Sequence, residues 1–212
     1  MAPLQTLDGF YWIGGHPIAD FLNTVDHRYR VWNQGERLDA YSDLVRWARR
    51  AGMLSAADAE AALEAAAADP RQARRVLNAA RDFRERLLQT LKRWLSEGML
   101  PAEDSEVVRK EIEISLARRK LAWNGARLRW TWHSPVDAPV HAIRSAASEL
   151  LATGPLGHLK ICEGSDCDWT FVDQTPSRRR RWCTMSSCGN RAKVREHRER
   201  RRTAGGSRKS KG

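Results

Sequence analysis

Residues 162 to 188 read CEGSDCDWTFVDQTPSRRRRWCTMSSC and hold every cysteine of the 212-residue chain. The pattern is Cys162-x4-Cys167, fifteen residues, then Cys183-x4-Cys188, with none in the first 161 positions. Tetrahedral zinc needs four thiolates converging at about 2.3 Å, and paired ligands on two tight turns supply them at little ordering cost. Gly164 and Ser165 suit a turn in the first pair, Ser186, Ser187 and Gly189 one at the second.

Two disulfides would need an oxidising compartment, and the N-terminus Met1-Ala-Pro-Leu-Gln lacks the basic and apolar regions of an export signal. Four unrelated buried thiols would not gather in so short a window. Zinc at Cys162, Cys167, Cys183 and Cys188 is therefore the expectation, one ion per chain. Four thiolates leave no coordination position for water, which makes the ion structural. Between the pairs, Trp169-Thr170-Phe171-Val172 reads as a strand, and Cys188 runs into a helical stretch. Knuckle, hairpin and a helix carrying the last ligand describe a small treble-clef-like finger.

Several of these residues carry a resemblance: Leu159-Lys160-Ile161-Cys162, Asp168 to Asp173, Arg180 to Met185, and above all Cys188-Gly189-Asn190-Arg191-Ala192-Lys193-Val194. Over about residues 158 to 200 the chain resembles the CGNR zinc-finger family of bacterial proteins, which are regarded as transcription regulators. The resemblance implies a zinc-stabilised DNA-binding module. Residues 10 to 25 and 41 to 54 resemble, more loosely, the stress-regulator-type N-terminal domain that accompanies this finger, which implies a sensing module.

Charge agrees with a polyanionic partner. From Lys160 onward there are 15 Lys and Arg against 6 Asp and Glu, whereas the first 159 residues hold 22 and 20. Arg191, Arg195, Arg198 and Arg202 recur on one helical face. Arg178, Arg179, Arg180 and Arg181 lie between the cysteine pairs, where one or two could serve the zinc thiolates. All four plus the helical row exceed what one site needs, so phosphate contacts are expected of Arg178 to Arg181, Arg191, Lys193, Arg195 and Arg198. Asn190 could read an adenine edge; helix capping suits it better. Arg outnumbers Lys 30 to 7 throughout, so the clustering says more than the choice of Arg.

The rest of the chain reads as an α+β domain, mostly helical, over residues 1 to 155. Pro17 opens a helix through Val25, with Ile18, Phe21, Leu22 and Val25 at helical spacing. Asp20 and Asn23 are candidate anchors of a small-molecule effector pocket, although satisfying nearby backbone groups is the commoner use of such residues. Residues 28 to 39 read as a polar loop. Ser55-Ala-Ala-Asp58 resembles a capping box, and Asp69-Pro70 opens the longest helix, to about Ser96. A helix over 103–119 precedes an alternating stretch, Leu121 to Trp132, around Asn124-Gly125, which signals a hairpin. Its indoles are expected to close a core over the helices. One more helix spans 137–152, then Thr153 to Gly157 forms a linker. Residues 203 to 212 form a disordered basic tail.

The leading expectation is a cytoplasmic DNA-binding transcription regulator, not an enzyme: a sensing or oligomerising domain, a structural-zinc finger of residues 158 to 202, and double-stranded DNA as partner. A single short finger suggests a homodimer formed by residues 1 to 155. An RNA-binding zinc protein is the second reading. A third is an enzyme targeted by the finger; residues 1 to 157 carry no HExxH, GxSxG or P-loop to support it.

Overall fold

The computed structural model describes residues 6–26, 35–99, 102–123 and 125–206. Most of the polar loop at 28 to 39, Asn124 and the end of the basic tail lie outside these residues.

Helix α1, Pro17–Leu22, starts where His16 Nδ1 accepts the Ile18 amide at 3.1 Å. It ends three residues before the position its apolar spacing suggested. Beyond Leu22 the side chain of Asn23 leaves for another element, and Val25 bridges to Glu36 in extended backbone. Helix α2, Tyr41–Arg50, buries Leu44, Val45, Trp47 and Ala48 in the shared helical core, Trp47 lying 5.2 Å from the Phe21 ring of α1. Ser55 and Asp58 form the expected reciprocal cap of α3, Ala56–Ala68. Asp69 caps α4, Pro70–Glu97, by accepting the Gln72 amide at 2.9 Å; Gly98, at φ 73°, ends that helix in the left-handed conformation.

The stripe Val76, Ala80, Phe83, Leu87 and Leu91 of α4 is buried at the centre of the helical core. Helices α5, Ala102–Leu116, and α6, Ala138–Ala152, complete it, α6 contributing Val140, Ile143, Ala147 and Leu150. Burying each large aliphatic or aromatic side chain contributes about 1.5–3 kcal/mol. Ordinary packing explains the stripe.

Between α5 and α6 stands an antiparallel hairpin, β1 Arg119–Trp123 and β2 Leu128–Trp132, in which Leu121 faces Trp130 and Trp123 faces Leu128. Side chains alternate across a sheet, so these four share one face with Arg119 and Trp132. Only Trp132 packs on the helical core as expected, 5.8 Å from the His141 ring. The other indoles are exposed.

A second hairpin, β3 Leu159–Ile161 and β4 Thr170–Val172, begins the C-terminal module. Its strands serve two cores at once. Leu159 and Val172 join the helical core, while Trp169 and Phe171 pack with Cys162, Cys183 and Cys188. Tyr11 and Ile13, from the other end of the chain, cover that second cluster. A π-helical turn, Met185–Gly189, leads into α7, Asn190–Gly206. The fold is thus α+β and mostly helical, with a small treble-clef-like finger: two short loops bearing cysteine pairs, a hairpin, and a helix entered directly from the last cysteine.

Candidate metal centre and its basic surroundings

Cys162 follows β3, Cys167 precedes β4, Cys183 ends the arginine-rich loop, and Cys188 sits in the π-helical turn. Their four Sγ atoms lie within 4.8 Å of one another, and no disulfide links them. A zinc tetrahedron with Zn–S near 2.3 Å sets its sulfurs about 3.8 Å apart. Cys167 and Cys183 are separated by 3.8 Å, Cys183 and Cys188 by 3.5 Å. The donor set and the spacing both fit one zinc, and three of the four thiols are buried.

The surroundings favour thiolate at Cys162 and Cys188, while the neighbouring thiols, Cys162 first, push Cys167 and Cys183 up. The neighbouring thiols, Cys162 first, and the Arg191 guanidinium hold Cys188 toward its charged form, with Arg191 Nη2 2.9 Å from its Sγ. The Cys183 amide donates to Cys162 Sγ at 3.2 Å. With all positions taken by sulfur, the ion cross-links the two loops and supplies no reactive site.

The tetrapeptide Cys188-Gly189-Asn190-Arg191 now has a physical reading. Cys188 is the last ligand. A Cβ on Gly189 would lie 2.6 Å from the Met185 sulfur and 3.1 Å from the Trp182 ring, so a larger residue there would have to displace the Met185 side chain. Asn190 Nδ2 reaches Ser186 O at a long 3.4 Å, a link back to the turn rather than a cap accepting amides. Arg191 answers the thiolate.

The expected DNA-contacting residues divide into two sets. Arg180 points inward: Nε donates to Trp182 O at 2.9 Å, Nη2 to Ile13 O at 3.0 Å and to Cys183 O, and its guanidinium lies 4.2 Å from the Phe171 ring centre. Arg181 pairs with Glu163 while staying exposed, and Arg195 donates to Ser165 Oγ, which ties α7 to the first knuckle. Arg178, Arg179, Lys193 and Arg198 are exposed. Arg178 also sits at φ 51°, in a turn closed by its amide donating to Thr175 O at 3.1 Å.

Asp20 and Asn23 are both buried and turned to backbone groups. Asp20 Oδ1 accepts the amides of Ile13 at 2.9 Å and Gly14 at 2.6 Å; desolvation outweighs those bonds and raises its pKa to about 6. Gly14 allows this approach, since a Cβ there would lie 2.8 Å from that of Ala19. Asn23 pairs with one residue of the finger: Nδ2 donates to Thr170 O and Oδ1 accepts from Thr170 N, both at 2.8 Å. Val172 N then donates to Gly14 O at 2.7 Å. Asn23 and Gly14 together occupy the outer edge of β4.

Sequence reasoning missed the pair Lys160 and Asp173. Asp173 is fully buried and accepts from Lys160 Nζ at 2.7 Å, Thr175 N and Oγ1, and Arg180 N. Desolvation would raise its pKa, but these bonds prevail and hold it well below the carboxylate range. The signal was present as Asp173-Gln-Thr175, an Asx-type turn directly after a strand. Lys160 Nζ also donates to the carbonyls of Arg178 and Arg180, so one ammonium fixes the arginine-rich loop.

These features define a zinc-finger protein whose finger is built into a helical domain. Two family models match in that order: residues 158–201 fit the CGNR zinc finger, and residues 15–154 fit ABATE, described as "Putative stress-induced transcription regulator". The chain belongs to the ABATE family and carries a CGNR finger. No curated protein matches it significantly.

Proposed function

We propose that the chain is a DNA-binding transcription regulator that grips duplex phosphates with the outer side of its finger, and that it is not an enzyme. The observation that carries this reading is where the unpartnered charge lies. Arg180, Arg181, Arg191 and Arg195 are engaged within the protein, Arg191 on a ligand thiol and the others on carbonyl, carboxylate and hydroxyl oxygens. Arg178, Arg179, Lys193 and Arg198 remain exposed on a zinc-held scaffold, and Arg201 and Arg202 extend the same helix. No helix of the described residues is long and apolar enough to cross a membrane. A cytoplasmic nucleic acid is then the natural polyanion.

If about five of these residues each neutralise a phosphate, log K should fall with log salt at a slope near −4.5, a loss of roughly 500-fold between 50 and 200 mM. Fluorescence anisotropy with the full chain and labelled duplex measures it. Arg198→Ala should flatten the slope by about one unit at unchanged zinc content. Arg180→Ala should instead lower stability, because its partners are Ile13, Trp182 and Cys183. Tighter binding to structured RNA than to duplex DNA at equal salt would replace this reading with the RNA-binding one.

A further inference from the structure

A cavity of about 280 Å³ opens between α4, α5 and α6, away from the finger. Its size is close to the lower end for small-molecule sites, about 300–1,000 Å³. Val76, Ala79, Ile114 and Val140 give it apolar walls. Three guanidiniums also line it: Arg75 and Arg118, both exposed, and the buried Arg144.

Arg144 is the unusual member. Its side chain is 10% exposed, and among the described residues its one hydrogen-bonding partner is Glu111, reached through Nη2. Its Nε is buried with no acceptor. The Glu111 carboxylate is shared, accepting from Arg86 Nε at 3.0 Å and Nη2 at 2.7 Å as well. Burial first, with the Arg86 charge behind it, destabilises the Arg144 cation, and Glu111 offsets this only in part. A buried charge is ordinarily matched by a full partner.

The other groups at the cavity do not supply one. Asp137 is the one acid lining it, and Gln72 Nε2 donates to Asp137 at 3.0 Å while accepting from Arg75 Nε at 2.8 Å. His141 Nδ1 lies 2.9 Å from Ser115 Oγ. Burial pulls the His141 pKa down to about 4, Asp137 opposes this, and Arg144 and Arg118 both add to it, so the two guanidiniums converge on one ring. Val140 and His141 stand in the first turn of α6, whose positive end adds to the same field. Counting Arg86 and Glu111 behind the wall, four guanidiniums stand against two carboxylates.

We propose that this cavity binds a small organic acid, its carboxylate held by Arg144 and Arg118 and its apolar body lying against Val76, Ile114 and Val140. A bare inorganic anion would leave those walls wet, and an uncharged ligand would leave Arg144 half-matched. Planar guanidinium suits a carboxylate, which it can meet with two parallel bonds. Asp20 and Asn23, turned to backbone groups, take no part. The inference goes beyond the DNA reading and stands without it, since no residue of the finger lines the cavity.

Isothermal titration of the zinc-loaded full chain with benzoate, phenylacetate and 4-methylpentanoate tests it. At least one acid should bind once per chain with a dissociation constant of about 1 mM or below, as ligands of this size allow. Benzyl alcohol and inorganic phosphate should each bind at least about tenfold more weakly than the best acid. Arg144→Gln should weaken that acid by about tenfold or more. Ile114→Glu, at a position 54% exposed, keeps the fold, sets a negative charge at the mouth and should also weaken it about tenfold, whereas Arg198→Ala should not. Far-UV circular dichroism separates loss of the site from loss of the fold, and if Arg144→Gln does not fold, Ile114→Glu decides. No saturable binding of any of these acids below about 20 mM overturns the proposal. Binding that survives Ile114→Glu unchanged puts the acid elsewhere and overturns it too. Phosphate as tight as the best acid overturns it in favour of a plain cationic patch, and benzyl alcohol as tight in favour of a purely apolar pocket.

Discussion

Asn23→Leu isolates the joint between the helical domain and the finger. The substitution keeps the branched side-chain skeleton, with bulkier methyl ends, and deletes both hydrogen bonds to Thr170. Thr170 is fully buried, and its backbone N–H and C=O have no access to water as replacement. Leaving a buried polar group unpaired costs about 1–3 kcal/mol, so two give roughly 2–5 kcal/mol. For a chain of this size the melting midpoint moves about 2–4 °C per kcal/mol, a fall of about 5–15 °C. Circular dichroism reads the midpoint, and a chromophoric chelator reads zinc release at 25 °C, which should quicken because β4 loses its outer edge. Asn23→Asp should do at least as much harm, since a carboxylate oxygen would face the Thr170 carbonyl. A midpoint within 1 °C of wild type, with unchanged zinc release, would refute the role assigned to this side chain.

Chelation should release one zinc per chain and unfold residues 158 to 202 while α2 to α6 keep their helicity, as the ion supplies much of the finger's folding energy; zinc analysis and circular dichroism check it. Asp20, with its folded pKa raised to about 6, binds a proton in the folded state that the unfolded chain has released, so its contribution declines as pH rises from about 4 to 6. Asp20→Asn keeps the acceptor for Ile13 and Gly14, and by urea titration should be less sensitive to pH in that window and more stable than wild type at pH 7. Glu36→Ala removes two hydrogen bonds, at 2.8 and 2.6 Å, from Arg84, which is 3% exposed and keeps Glu85 and Thr24 as partners; a cost of about 1.5–3 kcal/mol should appear as a lower denaturation midpoint.

The helices were legible because their causes are local. Ser55 with Asp58, Asp69 with Pro70, and the stripe from Val76 to Leu91 act within a few residues of one another. The cysteine spacing announced the metal for the same reason. The partners of Asn23 and Gly14 lie about 150 positions away, and nothing in either stretch names the other. The expected boundary near residue 155 follows the change in composition, yet Tyr11, Ile13 and Arg180 pack across it. An isolated fragment beginning at residue 157 would lack those contacts. The arginines illustrate a different limit: a run of four identical residues carries no record of which one turns inward, and only the Lys160 and Asp173 network decides that Arg180 does. The hairpin was visible as alternation, but alternation alone does not say which face meets water.

The shared edge of β4 also sets an order of events during synthesis. Residues 10 to 23 leave the ribosome early, but their hydrogen-bonding partners at Thr170 and Val172 follow about 150 residues later, roughly 10–30 s at ordinary rates of elongation. Until then the carbonyls of Ile13 and Gly14 and the Asn23 side-chain amide lack their native partners, and the helical core lacks Leu159 and Val172. Contacts of such sequence separation are slow to form and close last. Zinc capture by Cys162 to Cys188 therefore coincides with completion of the N-terminal domain, and a nascent chain deprived of zinc would expose apolar surface at both of its ends.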